Sequence, residues 1–180
     1  MDEIEYLKSC VKSINDFPKK GIVFRDITTV CENPDAFSRL CRTMADMYRN
    51  AGITKVVGSE SRGFVFGAPV AVLLGCGFVM ARKPGKLPRD VYSEDYELEY
   101  GTNTLEIHKD AISSSDRVLI VDDLIATGGT VGAQIKLIRR FNAEIAGAVF
   151  AISLPELGGT AMLKEKYGID SRAVMEFPGH

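Results

Sequence analysis

Residues 118–130 read VLIVDDLIATGGT, and this stretch decides both the fold and the site. Its first four residues, 118–121, are apolar and predict a short strand buried on both faces of a parallel sheet. Two carboxylates, Asp122 and Asp123, follow where that strand is expected to end, and glycines and threonines come next. A helix is then predicted by apolar residues at helical spacing: Val131, Ile135 and Ile138. This combination indicates an anion site, because the free amides of a first helical turn point at a bound anion.

The loop differs from two common phosphate-binding loops. No lysine follows the glycines, which excludes a Walker A loop, and the glycine spacing is not that of a dinucleotide fingerprint. The acidic pair would repel a phosphate unless hydroxyl groups or a metal ion lie between them. A ligand that carries both a phosphate and a ribose satisfies both halves of the motif. The alternative, a capped helix after a core strand, accounts for the aspartates but not for ATGGT.

The stretch resembles the motif by which type I phosphoribosyltransferases bind 5-phospho-α-D-ribose 1-diphosphate (PRPP). In that motif hydrophobic residues precede two acids and a Thr-Gly-Gly-Thr loop. The resemblance implies that the amides and hydroxyls of the loop hold the phosphate, while the two carboxylates accept hydrogen bonds from the ribose. The residues concerned are Asp122, Asp123, Ala126, Thr127, Gly128, Gly129 and Thr130.

The composition allows one domain and excludes several classes of function. A chain of 180 residues that is 46% hydrophobic can bury a sizeable core. A formal charge of −2 gives no basic field, so nucleic-acid binding is not indicated. No stretch approaches a membrane span, and the N-terminus lacks the apolar core of a signal peptide. The 4 cysteines have no CxxC pairing and indicate reduced thiols in a cytoplasmic protein.

The N-terminal region predicts a helix followed by a hood. Apolar residues at three- and four-residue steps predict an amphipathic helix that ends near Asn15: Ile4, Leu7, Val11 and Ile14. Residues 16–28, DFPKKGIVFRDIT, predict a loop that leads into a short strand. A similar segment in adenine phosphoribosyltransferases forms a hood over the base. The resemblance implies Phe24 on one face of the purine and the backbone of Val23 and Arg25 at its edge. A core position for Phe24 is the alternative.

Two further predicted strands are followed by basic residues. Residues 55–58 predict the first core strand, and Ser61 and Arg62 follow on a turn where open α/β sheets place ligands. A guanidinium there is suited to a bidentate grip on a diphosphate, and the family uses this turn as its diphosphate loop. Residues 77–81 predict the next strand. The cations after it are diphosphate-binding candidates or part of a solvated loop: Arg82, Lys83 and Lys86.

Residues 82–101 are too long for an ordinary connection, which favours a functional lid. They begin with RKPGKLP and end with YELEYG, and both segments resemble the flexible catalytic loop of adenine phosphoribosyltransferases. The resemblance implies that Glu99 is the acid/base carboxylate at the ring nitrogens of the purine. Its neighbours Tyr96 and Tyr100 are alternative contributors, and Arg62 completes the set of catalytic candidates.

Strands that alternate with helices predict a doubly wound, mainly parallel α/β sheet flanked by helices. We expect a single domain over residues 1–180, with the N-terminal helix and hood in 1–33 and the flexible lid in 82–101. After a strand at 145–152, the resemblance implies that Leu157 closes the second face of the base, with Glu156 a weaker contact. The remaining elements are predicted as a helix from Asn33-Pro34 to Gly52, a helix over 63–74, a helix over 160–166 and a strand over 172–176.

The resemblance covers nearly the whole chain and implies a purine salvage reaction, in which adenine and PRPP give AMP and diphosphate. It also implies Mg²⁺ bound mainly through PRPP, with no certain protein ligand to the metal, and a homodimer. One alternative is a phosphoribosyltransferase for hypoxanthine, guanine or xanthine, against which the hood and YELEYG argue. The other is a PRPP-sensing regulator without catalysis. Such regulators carry an added DNA-binding domain, for which the N-terminal segment is too short.

Overall fold

A computed structural model describes residues 2–97 and 101–179 of the chain. In chain order its strands are β1 (Lys12–Asn15), β2 (Val23–Asp26), β3 (Lys55–Ser59), β4 (Gly77–Ala81), β5 (Val91–Glu97), β6 (Thr102–His108), β7 (Arg117–Ile125), β8 (Glu144–Ser153) and β9 (Ser171–Glu176). Its helices are α1 (Glu3–Cys10), α2 (Thr28–Cys31), α3 (Pro34–Asp46), α4 (Arg62–Leu74), α5 (Gly129–Arg139) and α6 (Gly159–Tyr167), and a 3-10 turn covers Pro155–Leu157.

Five parallel strands form the central sheet, in the order β4-β3-β7-β8-β9. Successive residues of β7 point to opposite faces, so Leu119 and Val121 enter one core while Val118 and Ile120 enter the other. The first core is shared with α1, α3 and α4, and the second with α5 and α6. The predicted α/β sheet flanked by helices is confirmed, and its central strand is buried on both faces.

Strand β7 is longer than the sequence analysis predicts. The prediction ends the strand at residue 121, but β7 continues to Ile125, so Asp122 and Asp123 lie inside it. The reason is pairing: the neighbouring strand β8 is 10 residues long and, after a register shift at Val118, pairs with β7 from Leu119 opposite Gly147 to Ile125 opposite Ser153. The two carboxylates are therefore held by a regular backbone instead of by a loop.

The N-terminal helix is shorter than predicted. Helix α1 ends at Cys10, and the expected continuation to Asn15 is wrong, because Lys12–Asn15 pairs antiparallel with Val23–Asp26. The β-branched residue Ile14 is a poorer helix former, and pairing opposite Phe24 of the partner strand gives it an alternative. The predicted start of α3 is confirmed, since the side chain of Asn33 accepts hydrogen bonds from the amides of residues 35 and 36. That helix ends at Asp46, before the predicted end at Gly52.

Residues 82–101 contain a strand that the sequence analysis does not predict. Strand β5 pairs antiparallel with β6 from Val91 opposite His108 to Glu97 opposite Thr102. Its sequence, VYSEDYE, alternates half-buried and exposed residues without large aliphatic side chains, and the preceding Pro/Gly/basic run obscures its start. No helix within residues 2–97 and 101–179 has the length and apolar composition that crossing a membrane would need.

Candidate active site

A cleft of about 820 Å³ opens at the carboxyl ends of β3 and β7. This is the edge at which open α/β sheets bind ligands. Predicted site residues from separate parts of the chain line it together: Ser61, Arg62, Asp122, Asp123, Ala126, Thr127, Gly128, Gly129, Thr130 and Leu157. The cleft also contains Tyr96, which the sequence names as an alternative contributor beside Glu99. The structure adds lining residues that the sequence does not assign to a site: Ser59, Glu60, Gly63, Glu97, Leu124, Ile125 and Val131.

The predicted phosphate loop, residues 126–130, is fixed against the start of α6. Gly159 donates its amide to the carbonyl of Ala126 over 2.9 Å. Gly128 has a left-handed φ of 87° at the N-terminus of α5, and a side chain on it would lie 2.6 Å from Met162 Cε. The left-handed conformation favours glycine at this position, whereas the Met162 methyl is the end of a flexible side chain that could move aside. The amides of the first turn of α5 lack partners within the helix and belong to a loop that lines the cleft.

The buried carboxyl group of Asp122, on β7, contacts both β3 and the start of α4. Ser59 Oγ donates to Asp122 Oδ2 over 2.7 Å, and the amide of Asp123 donates to Asp122 Oδ1 over 2.9 Å. A side chain on Gly63 would begin 2.9 Å from Asp122 Oδ1, so the backbone of α4 packs directly on the carboxyl group. Burial raises the pKa of Asp122 well above its usual range, and the adjacent charge of Asp123 raises it further.

Asp123 is paired with Arg62. The distance from Arg62 Nε to Asp123 Oδ2 is 2.9 Å, and the side chains are 52% and 8% exposed respectively. Arg62 is the first residue of α4, at the turn predicted to bind diphosphate, while Asp123 is predicted to bind ribose. The structure thus joins two residues that the sequence assigns to different parts of the ligand.

The basic residues after β4 are held at the edge of the cleft by Glu60. Its carboxylate accepts hydrogen bonds from Arg82 Nη2, over 3.1 Å, and from the amide of Lys83. Burial of Glu60 opposes ionisation, but the Lys83 amide and the Arg82 guanidinium outweigh it and hold the pKa of Glu60 below its usual value. Lys83 and Lys86 are exposed, and neither they nor Arg82 line the cleft within the described residues.

The hairpin formed by β5 and β6 reaches the phosphate loop. Tyr96 and Glu97 line the cleft, and a side chain on Gly129 would begin 3.3 Å from the carbonyl oxygen of Glu97. The predicted catalytic residues Glu99 and Tyr100 lie outside the described residues, so their roles stay predictions.

The predicted base-binding residues are only partly brought to the cleft. Leu157 lines it at the end of the 3-10 turn. Val23, Phe24 and Arg25 are half-buried on β2 and are not among the lining residues. The Phe24 ring packs edge-on against Phe17 at 5.1 Å, and it is not one of the buried core residues, which removes the alternative of a core position.

Among residues 2–97 and 101–179, no group of three histidine, cysteine or acidic side chains is arranged to hold a metal ion. Carboxylate oxygens suit Mg²⁺, but Asp122 already accepts internal hydrogen bonds through both oxygens and Asp123 is paired with Arg62. This donor set fits a cation that takes most of its ligands from a bound phosphorylated molecule and from water.

Comparison with known proteins identifies the family. The phosphoribosyl transferase domain model matches residues 27–172. Adenine phosphoribosyltransferase of Escherichia coli K12 is 58% identical over 178 residues, which are 99% of this chain and 97% of that protein.

Two solved structures have the same fold. Adenine phosphoribosyltransferase of Thermoanaerobacter pseudethanolicus superposes with a TM-score of 0.90 at 44% identity, covering 97% of this chain and 99% of that one. Adenine phosphoribosyltransferase of Giardia lamblia, solved with 9-deazaadenine, superposes with a TM-score of 0.90 at 35% identity. The match covers 98% of this chain and 99% of that one. The chain therefore belongs to the phosphoribosyl transferase family, in the branch of the adenine phosphoribosyltransferases.

Proposed function

We propose that this chain transfers the phosphoribosyl group of PRPP to adenine, giving AMP and diphosphate in purine salvage. The observation that carries the proposal is the convergence of the 126–130 loop, the aspartate pair and Arg62 on one cleft. The names of the relatives support adenine as the base, since proteins 58% and 44% identical are adenine phosphoribosyltransferases.

The 5-phosphate and the ribose occupy the part of the cleft next to α5. The amides and hydroxyls of residues 126–130 anchor the phosphate, with the positive end of the α5 dipole behind them. Asp122 and Asp123 hold the ribose hydroxyls. Asp123 is the main acceptor, because both oxygens of Asp122 already accept hydrogen bonds from Ser59 and from the Asp123 amide.

The diphosphate leaves toward the start of α4. Attack by a ring nitrogen of adenine on the anomeric carbon breaks the bond to diphosphate, so positive charge develops on the sugar and negative charge on the leaving group. Ser61 and Arg62 bind the diphosphate, and Arg82, Lys83 and Lys86 supply further positive charge from the edge of the cleft. Mg²⁺ bound mainly through the PRPP oxygens would neutralise part of the leaving group's charge.

The base lies between the hood and the 3-10 turn. Phe24 covers one face of adenine and Leu157 the other, and the backbone of Val23 and Arg25 reads the edge. Glu99 accepts the proton that the attacking nitrogen loses, and Tyr100 supports it from the same loop. Closure of the lid, residues 82–101, excludes water that would otherwise capture the sugar.

We also propose a cytoplasmic homodimer. The cytoplasm is a reducing compartment, and free thiols are expected there; the free cysteines are Cys10, Cys31, Cys41 and Cys76.

The proposed dimer would form through exposed large apolar residues on α4 and β4: Val65, Val72, Leu73 and Met80. Val72 is exposed over 80% of its surface. A second copy would cover this face. Light scattering measures the oligomeric state. Val72→Asp should convert the dimer into monomers, and a parent protein that is already monomeric would contradict the proposal.

A product assay tests the reaction. PRPP and Mg²⁺ are supplied with adenine, hypoxanthine, guanine or xanthine separately, and the nucleotides formed are resolved. The expected result is AMP from adenine alone. A nucleotide from another base would keep the PRPP site and overturn the assignment of Val23 and Arg25. Binding of PRPP without any nucleotide product would favour a PRPP-sensing regulator.

A further inference from the structure

Residues 177–179, which we call the C-terminal segment, lie against both proposed walls of the base site. The amide of Phe177 donates to the carbonyl of Ser153 over 3.0 Å, which fixes the start of the segment beside the end of β8. The Phe177 ring is half-buried and packs against the core shared by α1, α3 and α4.

On one side the segment holds Arg25 of the hood. The Arg25 guanidinium carbon lies 4.9 Å from the centroid of the Phe177 ring, within cation–π range. Arg25 Nη2 lies 3.5 Å from the carbonyl oxygen of Pro178, and Nη1 donates to Ser13 Oγ over 2.5 Å. Arg25 Nε is buried and has no hydrogen-bond partner. The ring face is thus a principal contact of this guanidinium, with no carboxylate paired to it among the described ion pairs.

On the other side the segment meets the 3-10 turn. A side chain on Gly179 would begin 3.0 Å from Glu156 Oε2 and 3.3 Å from Glu156 Cβ. Glu156 directly precedes Leu157, the residue of this turn that lines the cleft. One short segment therefore contacts the strand that carries Val23 to Arg25 and also the turn that carries Leu157.

We propose that Phe177 is a positioning residue for the purine site. Its ring holds the Arg25 side chain and thereby fixes β2 at a set distance from the 3-10 turn, so that the hood backbone and Leu157 enclose a planar base. This inference rests on the proposed function for its kinetic test, but the position of β2 can be measured without any reaction. The residue does not contact the base itself.

The kinetic test uses Phe177→Ala, Phe177→Leu and Phe177→Tyr. Loss of the ring should raise the KM for adenine by about threefold to thirtyfold, the range that corresponds to a lost cation–π contact. The KM for PRPP should stay within about twofold of the parent value, because the contacts described for Phe177 reach Arg25 and the end of β8 and not the phosphate loop. Phe177→Tyr keeps the ring face and should restore the parent KM, whereas Phe177→Leu keeps apolar volume alone and should not. Parent behaviour of Phe177→Leu, or equal rises in both KM values, would overturn the proposal.

A double-mutant cycle tests the pairing of the two side chains, and hydrogen exchange makes the result independent of activity. Arg25→Met should raise the KM for adenine as much as Phe177→Ala does, and the double variant should be no worse than either. Arg139→Met is the matched control, because it removes a guanidinium 5.6 Å from the Tyr167 ring on α6, away from the hood. In Phe177→Leu, amide exchange should accelerate at residues 23–26 and stay unchanged at residues 118–121. Unchanged exchange at residues 23–26 would refute the proposal even if the chain proved inactive with adenine.

Discussion

Replacing Ser59 by alanine removes a hydrogen-bond donor from a carboxyl group that the fold has buried. Ser59 and Asp122 are 4% and 7% exposed, and the Ser59 hydroxyl donates to Asp122 over 2.7 Å. Burial and the charge of Asp123 raise the pKa of Asp122, whereas the hydrogen bond from Ser59 lowers it. The ionised form of Asp122 therefore depends on Ser59 more than the neutral form does.

The expected loss of stability depends on pH. A hydrogen bond to the neutral carboxyl group contributes about 1 kcal/mol to the free energy of unfolding, and one to the carboxylate contributes about 2–3 kcal/mol. Because the folded pKa of Asp122 is raised, its ionisation destabilises the fold as the pH rises from the usual carboxyl range through the raised value. Ser59→Ala raises that pKa further, so the loss should be larger at high pH by about 1.4 kcal/mol for each unit of pKa.

Urea unfolding followed by circular dichroism, from about pH 5 to about pH 9, measures this difference. Ser153→Ala is the control, since Ser153 is also buried, at 1% exposure, and lies at the end of β8. Its effect should not change across the same range. If the free energy of unfolding lost in Ser59→Ala were constant with pH, or largest at low pH, the fold would not raise the pKa of Asp122 and the reasoning would be refuted.

Four further changes test the site. Asp123→Asn should raise the KM for PRPP by about tenfold in steady-state assays, because a charged acceptor for the ribose is lost; an unaltered KM would remove the ribose contact. Glu99→Gln should lower kcat by about a hundredfold or more while calorimetry finds PRPP affinity within about twofold, and unchanged turnover would exclude Glu99 as the acid/base. Glu60→Gln should lower the free energy of unfolding by about 1 kcal/mol at neutral pH, and this loss should shrink as the pH falls from the usual carboxyl range through the lowered folded pKa of Glu60; a loss that persists at the acid end of that range would contradict this. Gly128→Ala should lower the free energy of unfolding by about 1–3 kcal/mol in urea and weaken PRPP binding, since its φ is 87°; a stable variant with parent affinity would show that the loop tolerates a side chain.

The helices and strands could be predicted wherever the local sequence pattern of one segment determines its structure. The apolar run 118–121 and the helical spacing after it give β7 and α5, and Asn33 before a proline gives the start of α3. The errors arise where a partner strand decides the outcome. Residues 12–15 continue a helical pattern but pair with β2, and β5 has too few large apolar residues to be recognised without β6.

The same distinction applies to the site. The 126–130 loop and the aspartates before it could be predicted from the sequence, because the residues that would bind the ligand follow one another in the chain. Ser59 could not, since its partner Asp122 is 63 residues away and becomes a neighbour only when β3 pairs with β7. The charge, the position after a predicted strand and the resemblance of RKPGKLP indicate a diphosphate contact for Arg82, but its pairing with Glu60 depends on β3 and β4 lying side by side.

The ion pair between Arg62 and Asp123 has a consequence for discrimination between whole and partial ligands. With the proposed roles, diphosphate alone would draw Arg62 away and leave the 8%-exposed carboxylate of Asp123 without a counter-charge. Ribose 5-phosphate alone would occupy Asp123 and leave the guanidinium with no anion. Only a molecule that offers hydroxyl groups and a diphosphate together compensates both partners at once. With those proposed roles, the pair would favour intact PRPP over either fragment, including each half of a PRPP molecule that has already been hydrolysed.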